Sequence, residues 1–583
     1  MTMVRWPCGC ELPIAGTESK DDVINVDFDS ELPLNIKLDI YNINLKCEAT
    51  WNMFAGGQTK GIFQLESQLG RKWSKALKPN SIEDLGALGA LLRPGCLRAM
   101  SQLENETKPK SMTERYCDRK HGLEDVVYVH PILQPILQKT QGVLVFQEQA
   151  MKLAVSIAGF NEQEADILRK AIGKKKPEIM ASVKKNFLEK AEKTGIVSLP
   201  TAEEIFGWIQ ESQRYSFNKS HADAYGKNGY WSAFCKTHFK IQFYCSWLRG
   251  AVWKTKQYDE VYELVNDAKV SGIDVRVPNI ADKKAIFYIK NNRPYFGLSS
   301  IRGIGEAVVK KAVNGLTEAE AKFGDKIKNW NWLDFLVFGS YCVPSNAMEA
   351  LIKAGALDIF KEPRNKMLYE YGIWNKLKDN TEKKWIRTHY KESDATLFDN
   401  ASDERRWNTL QDALMDCQVP RKIKNGIQIG GGGCATKRRS SLIQDLITSL
   451  EKPPHSLQDT PDWIAWVEQQ SLGASITCSK VDGAEGAIDA NCTCKEFIDG
   501  RSDYMKFAVE IVRLKQVKTK RGKDPGQEMA FLTIEDNSCS LDNAVCFPKV
   551  WRECKDAIYE GNVVLIHGER DKDSLVVQRV WQI

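Results

Sequence analysis

Hydrophobic and polar positions follow the period of an α-helix through the first half of the chain. Between about residues 50 and 270, apolar side chains recur every three or four positions, as in residues 82–92 and 202–209. Residues 80–83 and 161–164 each place an asparagine shortly before an acidic position, which is typical of a capped helix start. The pattern predicts a mainly helical region over residues 50–275.

Both ends of the chain alternate instead with the period of a β-strand. Residues 21–29 and 34–40 predict a β-rich region over residues 1–49. Four apolar runs near the C-terminus predict a small β-barrel within residues 471–583. These runs cover residues 507–514, 530–535, 541–547 and 562–567.

The stretch between these regions contains two more units. Residues 276–360 combine a strand-like segment, residues 285–290, with glycine-rich helical hairpins. Periodicity weakens over residues 361–470, where the glycine-rich run 421–433 predicts a flexible linker. The sequence therefore predicts an α+β multidomain protein.

Composition limits the class of protein but does not indicate a function. A chain of 583 residues is too long for a single core. Its net charge of +6 is mild, so nucleic-acid binding has to come from local clusters of basic residues. With no apolar run of about 18 residues and no signal-peptide core, we expect an intracellular, cytoplasmic protein without a membrane partner.

Sixteen cysteines follow no regular framework, which favours reduced thiols. Two groups contain a C-x-C pair and one distant cysteine, and these are the weak candidates for metal ligands. Structural zinc usually takes four ligands, so we do not expect zinc at either group. The groups are Cys8, Cys10 and Cys47, and Cys478, Cys492 and Cys494.

A basic segment follows one of the predicted helices. Arg169, Lys170, Lys174, Lys175 and Lys176 fall within eight residues. On a helix Lys174 returns to the face of Lys170, and Gly173 lets the backbone approach a ligand. The segment is either a solvated helix end or a phosphate contact.

A second segment, block 218–221, places an amide, a cation, a hydroxyl and an imidazole at consecutive positions. It consists of Asn218, Lys219, Ser220 and His221 and follows the aromatic residues Tyr215 and Phe217. At a helix start, such a block would direct backbone N–H groups and the Lys219 ammonium at an anion. A capped helix without a ligand is the alternative.

These segments, together with Phe146-Gln147-Glu148-Gln149, resemble the fingers region of the bacterial replicative DNA polymerase III alpha subunit, a C-family polymerase. The resemblance runs from about Trp51 to the last residue. It implies a helical fingers domain over 50–275, a helix-hairpin-helix unit over 276–360 and an OB-type barrel over 471–583. It also implies contacts to the incoming nucleotide or primer-template from Arg169, Lys170, Lys174, Lys175 and block 218–221.

The same resemblance implies DNA contacts elsewhere. The basic residues after the FQLES-like segment 60–67, the glycine hairpin near residue 303 and the first barrel loop would face DNA. These positions are Arg71, Lys72, Lys75 and Lys78; Arg302, Gly303 and Gly305; and Lys518, Lys520 and Arg521. We expect Phe531 and Phe547, on neighbouring strands, to belong mainly to the barrel core. Leu397 and Phe398 resemble part of a sliding-clamp peptide, although the usual glutamine is absent.

The family's catalytic carboxylates, which hold Mg²⁺, have only weak candidates here. Asp27 and Asp29 would share one face of a strand, and Asp39 follows nearby. The space before Phe63 is too short for a whole palm domain. The resemblance therefore implies a palm from another chain, as in a split polymerase.

The resulting hypothesis is a DNA-directed DNA polymerase component of bacterial or phage type that binds deoxynucleotides and primer-template DNA and is inactive by itself. The alternatives are a non-catalytic DNA-binding accessory or scaffold protein of a replisome and a decayed polymerase.

Overall fold

The computed structural model describes residues 43–101, 107–174, 177–212, 216–391, 405–419, 433–519 and 525–583. Outside these ranges it describes the backbone of five short strands, and within them the side chains of residues 173, 174, 177, 212 and 437 are not described. The chain forms two compact units, residues 1–243 and 244–583. The predicted α+β class is confirmed, whereas the division into five domains stays a prediction.

The first unit is mainly helical. Its strands are β1 Met3–Arg5, β2 Glu11–Pro13, β3 Val23–Asn25, β4 Met100–Ser101 and β5 Lys110–Ser111. Its helices are α1 Glu48–Ala55, α2 Gln68–Leu77, α3 Ile82–Leu91, α4 Pro94–Arg98, α5 Met112–Lys120, α6 Gln134–Leu137, α7 Gln147–Ala158, α8 Glu162–Lys174, α9 Pro177–Thr194, α10 Leu199–Ser212 and α11 Lys219–His238. The unit boundary falls within α12, Lys240–Ala251.

Helices α7 to α10 pack around one apolar core. Phe160, Phe187 and Phe206 lie at its centre, with ring centroids 6.0 Å and 5.1 Å apart along the series. Helix α7 ends at Gly159, whose φ of 64° only glycine adopts without strain. A three-residue turn joins α7 to α8, and both helices contribute side chains to this core.

Helices α3 and α11 pack closely because glycines face the contact. A Cβ on Gly226 would lie 3.1 Å from the carbonyl oxygen of Ile82, and one on Gly86 would lie 3.1 Å from Oδ1 of Asp223. The first turn of α11 is thereby fixed against the surface formed by α3.

Helix α8 starts with a charge network that gives a pH-dependent prediction. Glu164 caps the helix by accepting from Asn161 N, and it accepts from Lys190 Nζ at 2.5 Å and Asn186 Nδ2 at 3.1 Å. Those hydrogen bonds, Lys190 first, lower the pKa of Glu164 to about 2. Because the folded-state pKa is depressed, the stabilisation is present above the unfolded-state pKa and is lost as pH falls toward 2.

Glu164→Gln is therefore expected to lower the free energy of unfolding by up to about 1 kcal/mol at pH 7, since the group is partly solvated. The difference from the wild type should shrink between pH 5 and about pH 2. Thermal unfolding across this range measures it, with Glu189→Gln as the control because Glu189 has only a 3.9 Å exposed ion pair. A difference that is constant with pH would contradict the assignment.

The second unit contains the remaining elements. Its strands are β6 Tyr288–Lys290, β7 Arg293–Tyr295, β8 Lys422–Lys424, β9 Ile427–Gly430, β10 Met505–Lys518, β11 Glu528–Glu535, β12 Ser540–Cys546, β13 Val563–Asp571 and β14 Ser574–Gln582. Its helices are α13 Gln257–Val270, α14 Glu306–Phe323, α15 Trp332–Asp334, α16 Ser345–Lys353, α17 Arg364–Trp374, α18 Lys384–Thr388, α19 Leu410–Gln418, α20 Lys437–Glu451, α21 Pro461–Leu472, α22 Cys494–Ile498 and α23 Pro548–Cys554.

Five strands close into a barrel in the order β10-β11-β12-β14-β13, which confirms the predicted OB-type barrel. Its interior is filled by alternate side chains such as Phe507, Val509 and Ile511. The expectation for Phe531 and Phe547 is wrong. Phe531 is 41% exposed at an outward position of β11, and Phe547 is 47% exposed just after β12, where it is the N-cap of α23.

The segment predicted as a linker contains secondary structure. Strands β8 and β9 pair there as an antiparallel hairpin. Arg405, in the same predicted region, binds the fully buried Asp334 of the preceding unit through its guanidinium at 2.7–3.0 Å. Among the described helices, none combines the length and hydrophobicity needed to cross a bilayer.

Candidate nucleotide- and DNA-binding sites

The starts of α7 and α11 lie side by side in the first unit. Phe217 N donates to Val145 O at 3.2 Å, and Gln147 N donates to Phe217 O at 3.0 Å. The buried Gln149 side chain shapes the α7 start, because its Oε1 accepts from the N–H groups of Val145 and Phe146 at 3.0 Å. The Phe146–Gln149 motif and block 218–221 therefore form one local structure.

Glu148 joins these helix starts directly. Its carboxylate accepts from Asn218 Nδ2 at 2.7 Å and from Lys219 N at 2.9 Å. Asn218 Oδ1 in turn accepts from His221 N at 2.8 Å, which makes Asn218 the N-cap of α11. The expectation that these N–H groups face a ligand is wrong for Lys219 and His221. The side chains of Ser220 and His221 are exposed, and that of Lys219 is half-buried.

A series of contacting side chains, the ring column, passes through His221 of block 218–221, and its aromatic rings meet edge-to-face or tilted. The Arg93 guanidinium lies 4.2 Å from the Phe217 ring, and the column continues through His221 and Tyr225 to Phe63. Successive ring centroids are 5.1, 3.9 and 5.0 Å apart. Arg93, Phe63 and His221 are exposed, so the column presents a surface on which a planar group can stack.

A narrow apolar pocket lies beside the ring column. It is lined by Phe63, Tyr225 and the glycines of the α3–α11 contact. Asp223 Oδ1 is buried beside Gly86, and within the described part of the chain it has no hydrogen-bond partner. Burial raises the pKa of Asp223.

The basic segment of α8 is partly neutralised. Asp166 Oδ1 accepts from Arg169 Nη2 and Asp166 Oδ2 pairs with Lys170 Nζ, each at 2.7 Å. Lys170 first and then Arg169 lower the pKa of Asp166. Both cations remain about half exposed, at 43% and 56%. The side chain of Lys174 and all of Lys175 and Lys176 lie outside the described residues.

Helices α7 and α8 carry one predicted nucleotide-binding segment and the partner of the other. Arg169 and Lys170 lie on α8, and Glu148, at the start of α7, contacts block 218–221. The site residues assigned from the sequence stay a prediction.

A loop next to the ring column is held by a buried lysine. Lys236, on the last turns of α11, is 3% exposed, and its Nζ donates to the carbonyl oxygens of Gln58 and Lys60 at 3.0 and 2.9 Å. This loop carries Phe63, the end of the column. On α2, which follows it, the predicted DNA-facing Lys72 and Lys75 are exposed, as is Lys78 just after the helix, while Arg71 is half-buried.

The glycine hairpin in the second unit has the form expected of a phosphate contact. Gly303 has a φ of 85°, Gly305 is the N-cap of α14, and a Cβ on either would meet no atom within 4 Å. A phosphate could therefore approach the backbone. The Arg302 guanidinium stacks 4.1 Å from the Tyr258 ring. On the barrel, Lys518 lies exposed at the end of β10.

Several predicted residues lie outside the described residues. They are the carboxylates Asp27, Asp29 and Asp39, the thiols Cys8 and Cys10, the clamp-peptide residues Leu397 and Phe398, and the barrel-loop residues Lys520 and Arg521.

The described residues do not fit a magnesium or zinc ion. Among them, no group of three or more histidine, cysteine or acidic side chains comes together as a metal site. The remaining candidate thiols contact other groups: Cys47 Sγ lies 3.3 Å from His238 Nε2, Cys478 Sγ donates to Pro461 O, and Cys492 Sγ donates to Thr493 O. Cys494 is fully buried.

Sequence reasoning missed Glu148 as the partner of block 218–221 and missed the ring column. A signal for the column was present, because His221 and Tyr225 are four residues apart and share one face of α11, and Phe217 precedes His221 by the same spacing. The Glu148 contact had no local signal, since 70 residues separate it from Asn218.

Comparison with known proteins supports the resemblance that was found in the sequence. The bacterial DNA polymerase III alpha subunit finger domain matches residues 29–195, and a helix-hairpin-helix motif matches residues 272–367. DNA polymerase III subunit alpha of Aquifex aeolicus is 30% identical over 92% of this chain and 39% of its own length. The subunits of Bacillus subtilis and Staphylococcus aureus are 29% and 26% identical over 94% and 92% of this chain, each over 42% of its own length.

The chain thus spans about two fifths of the length of these curated relatives. The similarity covers both units, including the segments from which the resemblance was inferred. Over most of its length, the chain is therefore similar to part of the bacterial DNA polymerase III alpha subunits.

Proposed function

We propose that the chain is the nucleotide- and DNA-binding part of a replicative DNA-directed DNA polymerase in the cytoplasm of a bacterial or phage-infected cell. In this proposal a palm on another polypeptide supplies the catalytic carboxylates and their Mg²⁺. The chain itself binds the deoxynucleotide and the primer-template.

The observation that carries the proposal is the Glu148-centred contact between the starts of α7 and α11. It holds Lys219 and Ser220 next to His221, which is a member of the ring column. A cation, a hydroxyl and an imidazole can bind a triphosphate, while the rings of the column can contact a base. The half-exposed Arg169 and Lys170 on α8 supply further positive charge.

In the second unit, the open backbone around Gly303 and Gly305 supports duplex contacts that do not depend on base sequence. We assign binding of the single-stranded template to the barrel. There Phe531 is exposed on β11 and lies opposite Lys515 on β10. The sliding clamp is the proposed partner of residues 397–398.

Lys219→Ala is expected to lower kcat/KM for the incoming nucleotide by about 10- to 100-fold, or about 1.4–2.7 kcal/mol, because one charge-assisted phosphate contact is lost. Affinity for duplex DNA should stay nearly unchanged. Steady-state primer extension by the complete polymerase and fluorescence anisotropy with labelled duplex measure the two quantities.

Lys227→Ala is the matched control, because Lys227 is exposed on the same helix two turns away. Equal losses in nucleotide use and duplex affinity would contradict the nucleotide assignment. Extension by this chain alone would point to Asp27, Asp29 or Asp39 as catalytic, and extension only with a palm-bearing polypeptide supports the proposal. Absence of extension in both cases would favour an accessory role.

A further inference from the structure

A cavity of about 340 Å³ in the second unit is lined by four lysines. It lies between the turn at residues 280–283, strand β6 and the segment that follows α14. Its charged lining consists of Lys283, Lys290, Lys326, Lys328, Asp282 and Glu320. Its volume is within the range of about 300–1,000 Å³ that is usual for small-ligand sites.

Both carboxylates of the cavity are already engaged by neighbouring donors. Glu320 is 6% exposed and accepts from Lys283 Nζ at 2.5 Å, from Lys326 Nζ at 3.4 Å and from Ile327 N at 3.0 Å. These contacts hold Glu320 in the wall of the cavity.

Asp282 is similarly fixed. It accepts from the Tyr288 hydroxyl at 2.5 Å and from Lys290 Nζ at 2.7 Å. Its side chain is only 15% exposed, so little of the carboxylate faces the opening.

The lysines retain capacity for a further anion. An ammonium group has three N–H donors. The side chains of Lys290 and Lys326 are 43% and 69% exposed, and Lys328 is exposed as well. Four ammonium groups against two carboxylates leave the lining with a formal charge of +2.

We propose that this lysine cavity binds phosphoryl groups, either of a free polyphosphate or of a nucleic-acid backbone. Lys290, Lys326 and Lys328 would contact the phosphoryl oxygens, while Glu320 and Asp282 hold the lysine-bearing segments in place. Ammonium groups bind phosphate as point charges and need no planar geometry, which suits an ion with rotational freedom.

The cavity is separate from the glycine hairpin. Helix α14 begins at the hairpin and ends beside the cavity, and its 18 residues span about 27 Å. A nucleic-acid strand bound in the cavity would therefore make contacts additional to those of Gly303 and Gly305.

The test uses the full chain with Lys290→Ala and Lys328→Ala combined, and Lys328→Ala alone as a second variant. Lys452→Ala is the control, because Lys452 is also an exposed lysine of the second unit. Isothermal titration calorimetry measures pyrophosphate binding, and anisotropy from 50 to 200 mM salt measures duplex binding. Thermal unfolding verifies that each variant is folded.

The double variant is expected to bind pyrophosphate at least about tenfold more weakly than the control. If the phosphates come from DNA, the negative slope of log affinity against log salt should become shallower by about two. Loss of pyrophosphate binding with an unchanged slope supports a free polyphosphate, and a shallower slope supports the DNA backbone. Pyrophosphate affinity and slope both equal to those of the control, or reduced equally by Lys452→Ala, would overturn the proposal.

Discussion

Replacing Arg364 with leucine is expected to lower the free energy of unfolding of the second unit by about 3–5 kcal/mol, because a buried carboxylate would lose its countercharge. The Arg364 side chain is 2% exposed, and its Nη2 donates to Glu468 Oε1 at 2.8 Å and to Asp358 Oδ2 at 2.6 Å. Glu468 is completely buried.

Replacing Arg364 alone would leave the buried Glu468 carboxylate without its countercharge. That carboxylate also accepts from the N–H groups of Ile476 and Thr477 at 2.6 and 2.8 Å, so it holds the chain that follows α21. The arginine is locally fixed by Lys353 O, which accepts from Nη1 at 3.1 Å. The network therefore joins α16, α17 and α21.

Urea denaturation monitored by tryptophan fluorescence measures the loss. The double variant Arg364→Leu with Glu468→Leu should recover part of the stability, since two apolar side chains can replace a buried ion pair. Arg552→Leu is the control at an exposed position. A loss below about 1 kcal/mol for Arg364→Leu, or no recovery in the double variant, would contradict this account.

The sequence predicted those elements whose signal is local. Helix α3 follows the apolar spacing of residues 82–92, and α8 starts with the predicted Asn161 cap. The strands β10 to β13 coincide with the four apolar runs because inward positions alternate along each strand. The fifth strand, β14, was missed because the prediction depended on those runs alone.

Features that depend on tertiary contacts could not be predicted. Exposure of Phe531 depends on which face of β11 points outward, and an aromatic residue fits either side of a barrel. Phe547 is exposed because β12 ends before it, at Cys546. The partner of block 218–221 is a glutamate 70 residues away. A lysine is usually solvated, so its sequence context gave no indication that Lys236 is buried.

Because Lys236 is buried, its replacement is expected to destabilise the first unit strongly. Lys236→Met should lower the free energy of unfolding of the first unit by about 2–4 kcal/mol, because the carbonyls of Gln58 and Lys60 lose a buried charged donor. Methionine keeps most of the apolar contact of the lysine stem, so the loss comes mainly from the polar groups.

The same change should loosen the loop that carries Phe63. Thr59 Oγ1 donates to Leu65 O and closes the loop locally. The two hydrogen bonds from Lys236 Nζ hold the loop against α11. Amide hydrogen exchange over residues 58–65 should therefore accelerate more than in the rest of the unit, and nucleotide KM should rise if Phe63 supports the bound base through Tyr225.

Lys240→Met is the matched control, because Lys240 is exposed one turn further along the chain. If both variants unfold at the same urea concentration, Lys236 does not stabilise the loop. If Lys236→Met destabilises the unit and accelerates loop exchange while nucleotide KM stays constant, the loop is structural and the ring column ends at Tyr225. A rise in KM together with faster exchange would instead place Phe63 in the nucleotide site, because Lys236 acts on the nucleotide only by holding the loop.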